Sequence, residues 1–410
     1  MRILFTTLAP PSPPMHGQRL RNRAILQALK AEGHEITLLT LDDGSATNIE
    51  SLHSLTREIR LLRAPIAARR GWADYMARAA TLVSPRPHGA MKYRSPQLTA
   101  AISEAVDDGK YDLAICDDIY LIQNFPPRLP VPLVLNKHDF VHVILSQYLA
   151  WQRNPAVQAY GRIECMKLRH YESWACGAAD SVIVCSESDA KLAARLSPGA
   201  RISVVPNAID VDSYSPQPEY DQRTLLFCGS MAWHPNRDAM QYFVAQVLPR
   251  ILSRASKVRL RITGERPSED FVRRLDPSGM VDFTGWLPDI RPEIARSTIS
   301  IVPLRIGSGT RLKIMEAAAM ARPVVSTSIG AEGLAFADGE EILLADGAEA
   351  FADAVVSLLE DAPRRRALGS AARRRVAAAY GIDALRAACC RTLLSVCAAS
   401  ASCEPARAEA

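Results

Sequence analysis

The chain has 410 residues, a formal net charge of +5 and an isoelectric point near 8.7. Hydrophobic residues make up 48% and charged residues 23% of it, which excludes an intrinsically disordered chain. The positive charge is mild, and no stripe of Arg and Lys is interleaved with aromatic residues, so a dedicated nucleic-acid binder is excluded. At this length two domains are expected.

The nine cysteines contain no CxxC pair, so we expect buried free thiols in a reducing cytosol. Of the eight histidines only His138 and His142 have close helical spacing, and no metal site is predicted. The apolar run that begins the chain is too short for a secretion signal, and no segment has about twenty uncharged apolar residues. We therefore expect a cytoplasmic protein without a membrane span.

Short β-rich runs alternate with helical segments, which predicts an α/β fold with parallel sheets covered on both faces. The predicted strands of the first half are residues 2–7, 35–41, 112–116, 131–136, 181–185 and 202–205. Those of the second half are residues 224–229, 259–263, 281–284, 299–303 and 323–327. A second sheet is therefore expected to begin in the second half.

Composition also suggests how the chain is divided. Segment 206–222 has three prolines and many polar residues, which predicts a linker without a packed element. We predict an N-terminal domain over residues 1–205 and a C-terminal domain over 223–381. Helical sequence rich in Ala and Arg occupies the end of the second domain. A last helix is predicted over 382–397, and residues 398–410 have the composition of a disordered tail.

The most informative stretch is residues 301–327, IVPLRIGSGTRLKIMEAAAMARPVVST, in which a glycine-rich turn joins a buried strand to a helix. Amides of such a turn and of the following helix start attract anions. The turn residues are Gly307, Ser308 and Gly309. Arg311 and Lys313 can reach bridging phosphates, and Glu316, one turn later, suits ribose hydroxyls. The stretch predicts a nucleoside diphosphate site, with an ordinary βαβ unit as the alternative.

Polar residues also follow two strands of the first half. A proline-rich loop leads to Gly17 and a helix bearing Arg19, which we interpret as phosphate contacts, with a plain strand-to-helix connection as the alternative. The loop has no GxGxxG, so a dinucleotide site is not supported. A later strand ends at His138, where open α/β sheets bind ligands, and we interpret it as functional. Its neighbours Lys137 and Asp139 fit surface charges equally well.

Residues that follow two strands of the second half are also candidates for contact with a ligand. Gly229 and Ser230 precede a helix start, so their amides and small side chains are placed to approach a ligand. Trp286 follows another strand and is a candidate for contact with a base. Core packing is the more ordinary role for such an aromatic residue.

Residues 65–83 place Trp72, Met76, Ala79 and Val83 on one helical face. A stripe of this kind usually seals a core. The arginines of the segment lie off the stripe and are Arg69, Arg70 and Arg78. An interfacial role at an anionic membrane is the alternative.

Together these motifs resemble the retaining glycosyltransferases of family 4, which have the GT-B architecture of two Rossmann-like domains facing across a cleft. The resemblance covers nearly the whole chain. Its strongest elements, in family order and approximate spacing, are SVIVCSESDA, VVPNAID, LLFCGSMAWHPN, VDFTGWLPDI and the stretch over 301–327. It implies that the first domain binds the acceptor, that the second binds a nucleotide sugar and that the last helix packs on the first domain.

The resemblance also implies roles for single residues. Glu316 matches the family's ribose-binding glutamate, while Arg311 and Lys313 face the diphosphate. His138 matches a histidine close to the transferred sugar, and Gly17 matches a glycine-containing N-terminal loop that also holds Arg19. The expected catalytic residues are His138, Arg311 and Lys313. The other donor-binding positions are Gly229, Ser230, Leu287, Gly307, Ser308, Gly309 and Thr310.

Three positions depart from the family pattern. Ser308 stands where the family's first glutamate is usual, which leaves the donor-sugar contact open. Met231 and its neighbours replace the usual Arg and Lys after the first strand of the second domain, and Ala208 replaces a linker glycine. Because both cations and Glu316 are present, we interpret the chain as a divergent branch rather than an inactive enzyme.

The resemblance implies transfer of a sugar from a UDP-, GDP- or ADP-sugar to a glycan or lipid-linked hydroxyl, with retention of configuration and no metal or other cofactor. Alternatives are a nucleotide-sugar epimerase of the same architecture and a non-catalytic nucleotide-sugar-binding assembly protein, which Ser308 favours. Because many such transferases extend lipid-linked glycans in polysaccharide biosynthesis, we also expect reversible contact with anionic lipid at the inner face of the plasma membrane.

Overall fold

The computed structural model describes residues 1–13, 17–42, 49–65, 76, 78, 80–107, 109–218, 223–276 and 279–401. The chain forms two compact units. Unit 1 comprises Met1–Asn207 and the segment from Asp383 onward, and unit 2 comprises Ala208–Ile382. The division between them falls after Asn207, at the start of the segment predicted to be a linker.

Unit 1 contains a parallel sheet of seven strands in the order β3-β2-β1-β4-β5-β6-β7. The strands are β1 (Arg2–Thr7), β2 (Glu35–Asp42), β3 (Glu58–Arg63), β4 (Leu113–Asp117), β5 (Leu133–Asn136), β6 (Ser181–Val184) and β7 (Ile202–Val204). Its helices are α1 (Gly17–Ala31), α2 (Glu50–His53), α3 (His88–Lys92), α4 (Pro96–Asp107), α5 (Val141–Trp151), α6 (Pro155–Gly177) and α7 (Glu187–Leu196). The strand order changes direction between β1 and β4.

Unit 2 contains a parallel sheet of six strands in the order β10-β9-β8-β11-β12-β13. The strands are β8 (Thr224–Cys228), β9 (Arg259–Thr263), β10 (Val281–Gly285), β11 (Ile299–Val302), β12 (Val324–Ser326) and β13 (Leu343–Leu344). Its helices are α8 (His234–Tyr242), α9 (Leu248–Leu252), α10 (Glu269–Leu275), α11 (Arg291–Arg296), α12 (Leu312–Ala319), α13 (Ala348–Glu360) and α14 (Ala362–Tyr380). Here the order changes direction between β8 and β11.

The central strands have continuous apolar sequences because they lie inside the hydrophobic cores. Every residue of β8 and of β11 is buried, because helices cover both faces of the sheet. On α13 the fully buried Phe351 packs edge-to-face against Phe243, with ring centroids 5.9 Å apart. Burial of a phenylalanine side chain contributes about 2–3 kcal/mol.

The last helix, α15 (Ile382–Ala401), extends four residues beyond its predicted end at 397 and belongs to unit 1 from Asp383 onward. The rest of the predicted disordered tail, residues 402–410, lies outside the described residues. Within the described part of the chain, no helix is both long and apolar enough to cross a membrane.

Four details differ from the sequence predictions. Strand β3 escaped prediction because it is an edge strand whose residues are only partly buried, and β13 because it has two residues. The segment predicted to be a linker contains a 3₁₀ turn over Val211–Ser213, within unit 2. Lys137, considered as a surface charge, is 2% exposed and forms an ion pair with Glu172 at 3.1 Å.

The helical stripe predicted over residues 65–83 is described only in part. Trp72, Ala79, Arg69 and Arg70 lie outside the described residues. Met76 is 54% exposed and Val83 is 91% exposed, so the expectation that the stripe seals a core is wrong for these two residues.

Candidate active site

The first site lies in unit 2, at the carboxyl ends of β8 and β11. Because all six strands are parallel, their carboxyl ends share one edge of the sheet. Loops that leave neighbouring strands in opposite directions open a crevice at such a reversal. The loop that begins at Gly229 and the glycine-rich turn after β11 flank this crevice.

The loop after β8 is held against the loop after β9. The amide of Gly229 donates to the Thr263 carbonyl at 2.8 Å, and the Ser230 hydroxyl donates to Glu265 at 3.0 Å. Gly264 has φ +126°, and a Cβ at this position would lie 2.5 Å from the Gly229 carbonyl oxygen. Only glycine fits such a backbone approach. Sequence reasoning missed Gly264, since nothing local marks the close approach of two loops.

Lys313 lies on the first turn of α12 and points back to β8. Its Nζ donates to Asn236 Oδ1 at 3.2 Å and lies 4.0 Å from the centre of the Phe227 ring. A Cβ on Gly229 would be 2.8 Å from this Nζ, so the glycine makes room for the ammonium. Burial lowers the pKa of Lys313 to about 7. An incoming anion would therefore favour protonation of Lys313 near neutral pH.

Arg311 caps the beginning of α12 and folds over the glycine-rich turn. Its guanidinium donates to the carbonyl oxygens of Ser308 and Gly309, and a Cβ on Gly307 would overlap it. Gly309 has φ +73°, a conformation that favours glycine. The guanidinium thus fixes the turn whose amides were predicted to bind phosphate, while Thr310 remains partly exposed beside it.

Glu316 lies one turn further along α12. Its Oε1 accepts a hydrogen bond from the Tyr214 hydroxyl at 3.2 Å, and burial raises the pKa of Glu316 to about 6. Tyr214 itself lies 5.9 Å from the Arg291 guanidinium, measured from ring centre to Cζ. Sequence reasoning missed Tyr214 because the segment around it was assigned to a linker.

The predicted donor-binding residues are not all in contact with one another. Asn236 joins two of them, since it accepts from Lys313 and its Nδ2 donates to the Ser230 carbonyl at 2.9 Å. Arg311 is joined to the glycine-rich turn. Leu287 follows β10, two strands from β8, and the neighbouring Trp286 is 48% exposed rather than part of the core.

The second site lies in unit 1, at the carboxyl ends of β4 and β5. The His138 Nε2 lies 2.6 Å from Oδ1 of Asp117, a fully buried carboxylate, while the imidazole side chain is 15% exposed. Gly17 is the exposed first residue of α1. Arg19, predicted to meet a phosphate, is only 9% exposed. Asp117 was missed because its partners are distant in sequence.

No group of three or more His, Cys, Asp or Glu side chains among the described residues is arranged to hold a metal ion. The cysteines of the described part are unpaired. The side chains that the two sites bring together are cations, carboxylates, amides and one imidazole.

Known glycosyltransferases match both units. The sequence model of the family described as Glycosyltransferase Family 4 matches residues 16–213, and that described as Glycosyl transferases group 1 matches residues 222–361. These two matches lie side by side along the chain and cover most of it. The protein belongs to the family 4 glycosyltransferases.

Solved structures show the same two-domain GT-B fold. Sucrose-phosphate synthase from Thermosynechococcus elongatus superimposes with a TM-score of 0.73 at 18% identity, covering 97% of this chain and 100% of that one. Anabaena HepE, in complex with UDP and glucose, superimposes with a TM-score of 0.66 at 14% identity, covering 96% and 100%. At these identities the likeness concerns the fold alone.

One relative is more similar in sequence over a shorter length. The phosphatidyl-myo-inositol mannosyltransferase of Mycolicibacterium smegmatis is 29% identical over 168 residues. The match covers 38% of this chain and 42% of the relative, so it spans less than half of the relative's length.

Proposed function

We propose that the protein moves a sugar from a nucleoside diphosphate sugar to a hydroxyl of a glycan or lipid-linked acceptor, with retention of anomeric configuration. The observation that carries this proposal is the placement of Lys313 and Glu316 one turn apart on α12, beside the crevice of unit 2. An ammonium suits a diphosphate, and a carboxylate suits the two hydroxyls of a ribose. A UDP complex of HepE, which has the same fold, is consistent with such a ligand.

In this proposal the bond between the anomeric carbon and the diphosphate breaks as the acceptor oxygen attacks from the same face. The leaving phosphate oxygen takes the proton of the acceptor hydroxyl. Lys313 and the start of α12 stabilise the developing negative charge, and one such donor contributes about 3 kcal/mol. Arg311 holds the turn in place. Protein cations supply this charge stabilisation, so the proposal includes no metal ion.

Mutations should separate the residue that binds the nucleotide, Glu316, from the residue that acts on the sugar, His138. Glu316→Gln should weaken binding of the free nucleoside diphosphate, because an amide accepts ribose hydrogen bonds less strongly than a carboxylate. His138→Ala should leave that affinity unchanged and lower transfer. Calorimetry with UDP, GDP and ADP, together with a transfer assay, measures both effects. Equal losses of nucleotide affinity in the two variants would refute the separation.

The transfer assay also distinguishes the alternatives. Interconversion of the nucleotide sugar in the absence of an acceptor would identify an epimerase. Tight nucleotide-sugar binding with neither transfer nor hydrolysis would identify a binding protein, the interpretation that Ser308 favours.

We further propose that unit 1 touches an anionic membrane, on the cytoplasmic side. Three apolar residues on one face of α6 are exposed, namely Ile163 (37%), Met166 (59%) and Trp174 (49%). Arg162 and Arg169 are exposed beside them. Apolar side chains flanked by arginines suit the surface of an anionic bilayer. The lipid named in the mannosyltransferase relative is consistent with such an acceptor.

The described end of the predicted stripe, residues 81–83, adjoins this surface. The Thr81 hydroxyl lies 3.2 Å from that of Tyr160 on α6, and the next residues, Leu82 and Val83, are 48% and 91% exposed. The exposed end of the predicted stripe therefore lies beside α6. Arg78 of the same segment is exposed and would add positive charge, whereas Arg69 and Arg70 lie outside the described residues.

Vesicle binding tests the membrane proposal. The protein should sediment with anionic vesicles at low salt and be released at high salt, because the Debye length shortens from about 30 Å at 0.01 M to about 3 Å at 1 M. Reversal of Arg162 and Arg169 to glutamate should abolish binding. The same reversal at Arg273 and Arg274, exposed arginines of unit 2, is the matched control. Binding that survives the α6 reversal would contradict the proposal.

A further inference from the structure

Asp117 is a buried centre of hydrogen bonds at the end of β4. Its Oδ1 accepts from Asn136 Nδ2 at 2.8 Å and lies 2.6 Å from His138 Nε2. On Oδ2 it accepts from Gln18 Nε2 at 2.9 Å and from Asn22 Nδ2 at 2.6 Å. The Asp117 side chain has no exposed surface. A side chain so surrounded has one orientation.

The network also determines which atom of His138 carries a proton. The Arg21 guanidinium can only donate, and its Nε and Nη2 lie 3.2 and 3.1 Å from Asn136 Oδ1. The Asn136 amide must therefore present its Nδ2 to Asp117. Amide groups donate to both oxygens of Asp117, and a carboxylate has no hydrogen to donate, so Nε2 of His138 is the donor. In the neutral imidazole the lone pair then resides on Nδ1.

We propose that Asp117 is a positioning residue that fixes the orientation and tautomer of His138. The Nδ1 lone pair is thereby offered to a hydroxyl of the sugar substrates, an identification that rests on the proposed function. An imidazole without this carboxylate could rotate or exchange its tautomer, and it would then present an N–H where a lone pair is needed.

Mutant kinetics test this proposal. Asp117→Asn should lower turnover by about 10- to 100-fold, the usual effect of removing a partner that orients a functional histidine, and leave nucleotide affinity unchanged. Because Asp117 acts through His138, the double variant Asp117→Asn, His138→Ala should be no slower than His138→Ala alone. Gln18→Leu removes a hydrogen bond from the other carboxylate oxygen and should keep turnover within about threefold. Independent, multiplying losses would overturn the proposal.

The tautomer is measurable without any substrate. In the full chain labelled with ¹⁵N-histidine, the His138 signal is identified by its loss in His138→Gln. The expected wild-type spectrum shows the neutral ring protonated on Nε2, and Asp117→Asn should shift the population toward Nδ1 protonation. A wild-type ring protonated on Nδ1 would overturn the inference. The expected tautomer in a protein without transfer activity would instead refute the proposed function and leave the positioning role intact.

Discussion

Lys313→Ala and Arg311→Ala should each lower turnover by about two orders of magnitude while the protein remains folded. The Lys313 variant loses the ammonium that the proposed mechanism places against the leaving diphosphate. Arg311 loses the guanidinium that holds the carbonyls of Ser308 and Gly309, so the amides of the turn are no longer fixed. Steady-state kinetics measures the loss, and thermal melting checks the fold. Near-normal turnover in both variants would show that this cluster is structural.

The ionisation of Lys313 adds a pH signature to this prediction. Since burial lowers its pKa to about 7, the free protein loses the positive charge above neutral pH, whereas bound diphosphate favours the charged form. Affinity for a nucleotide sugar should therefore fall as pH rises above 7, by up to about tenfold per unit. Calorimetry at pH 7.0 and 8.5 measures this, and Lys313→Met should remove the dependence.

Gly264→Ala should destabilise unit 2 by about 3 kcal/mol and weaken nucleotide binding. The new Cβ would meet the backbone of Gly229 and Ser230, and an alanine is strained at φ +126°. For a domain of this size that corresponds to a melting temperature lower by about 6–12 °C.

Gly339→Ala is the matched control for this substitution. Gly339 has φ +79° with no atom within 4 Å of the added Cβ, so only conformational strain of about 1 kcal/mol is expected. Differential scanning calorimetry compares the two variants. Equal shifts in melting temperature would mean that the contact between the two loops does not hold the site together.

The sequence was sufficient for elements whose burial is complete. Strands such as β8 and β11 are covered on both faces and leave continuous apolar runs, so the glycine-rich turn and the start of α12 could be placed correctly. The helix predicted after the turn is α12, which begins at Leu312. Edge strand β3 has no such run, since none of its six residues is buried.

The contacts that give the sites their chemistry were not predictable from local pattern. Tyr214 meets Glu316 across 102 residues, and Gln18 meets Asp117 across 99. Such pairs are set by the order of strands in the sheet, which brings distant segments to one edge. The contact of the Arg311 guanidinium with its own turn was not predicted for another reason. Sequence spacing gives the position of a residue on a helix but not the direction of its side chain.

The central claim is retaining transfer from a nucleotide sugar, and the configuration of the product tests it most directly. The donor is first chosen from UDP-, GDP- and ADP-sugars by the largest rise in melting temperature. Proton NMR then follows the anomeric signal as the sugar passes to a hydroxyl acceptor or to water. We expect the product to form with the donor's own configuration, and Lys313→Ala to suppress it. A product of opposite configuration, or no consumption of any donor that binds, would contradict the account.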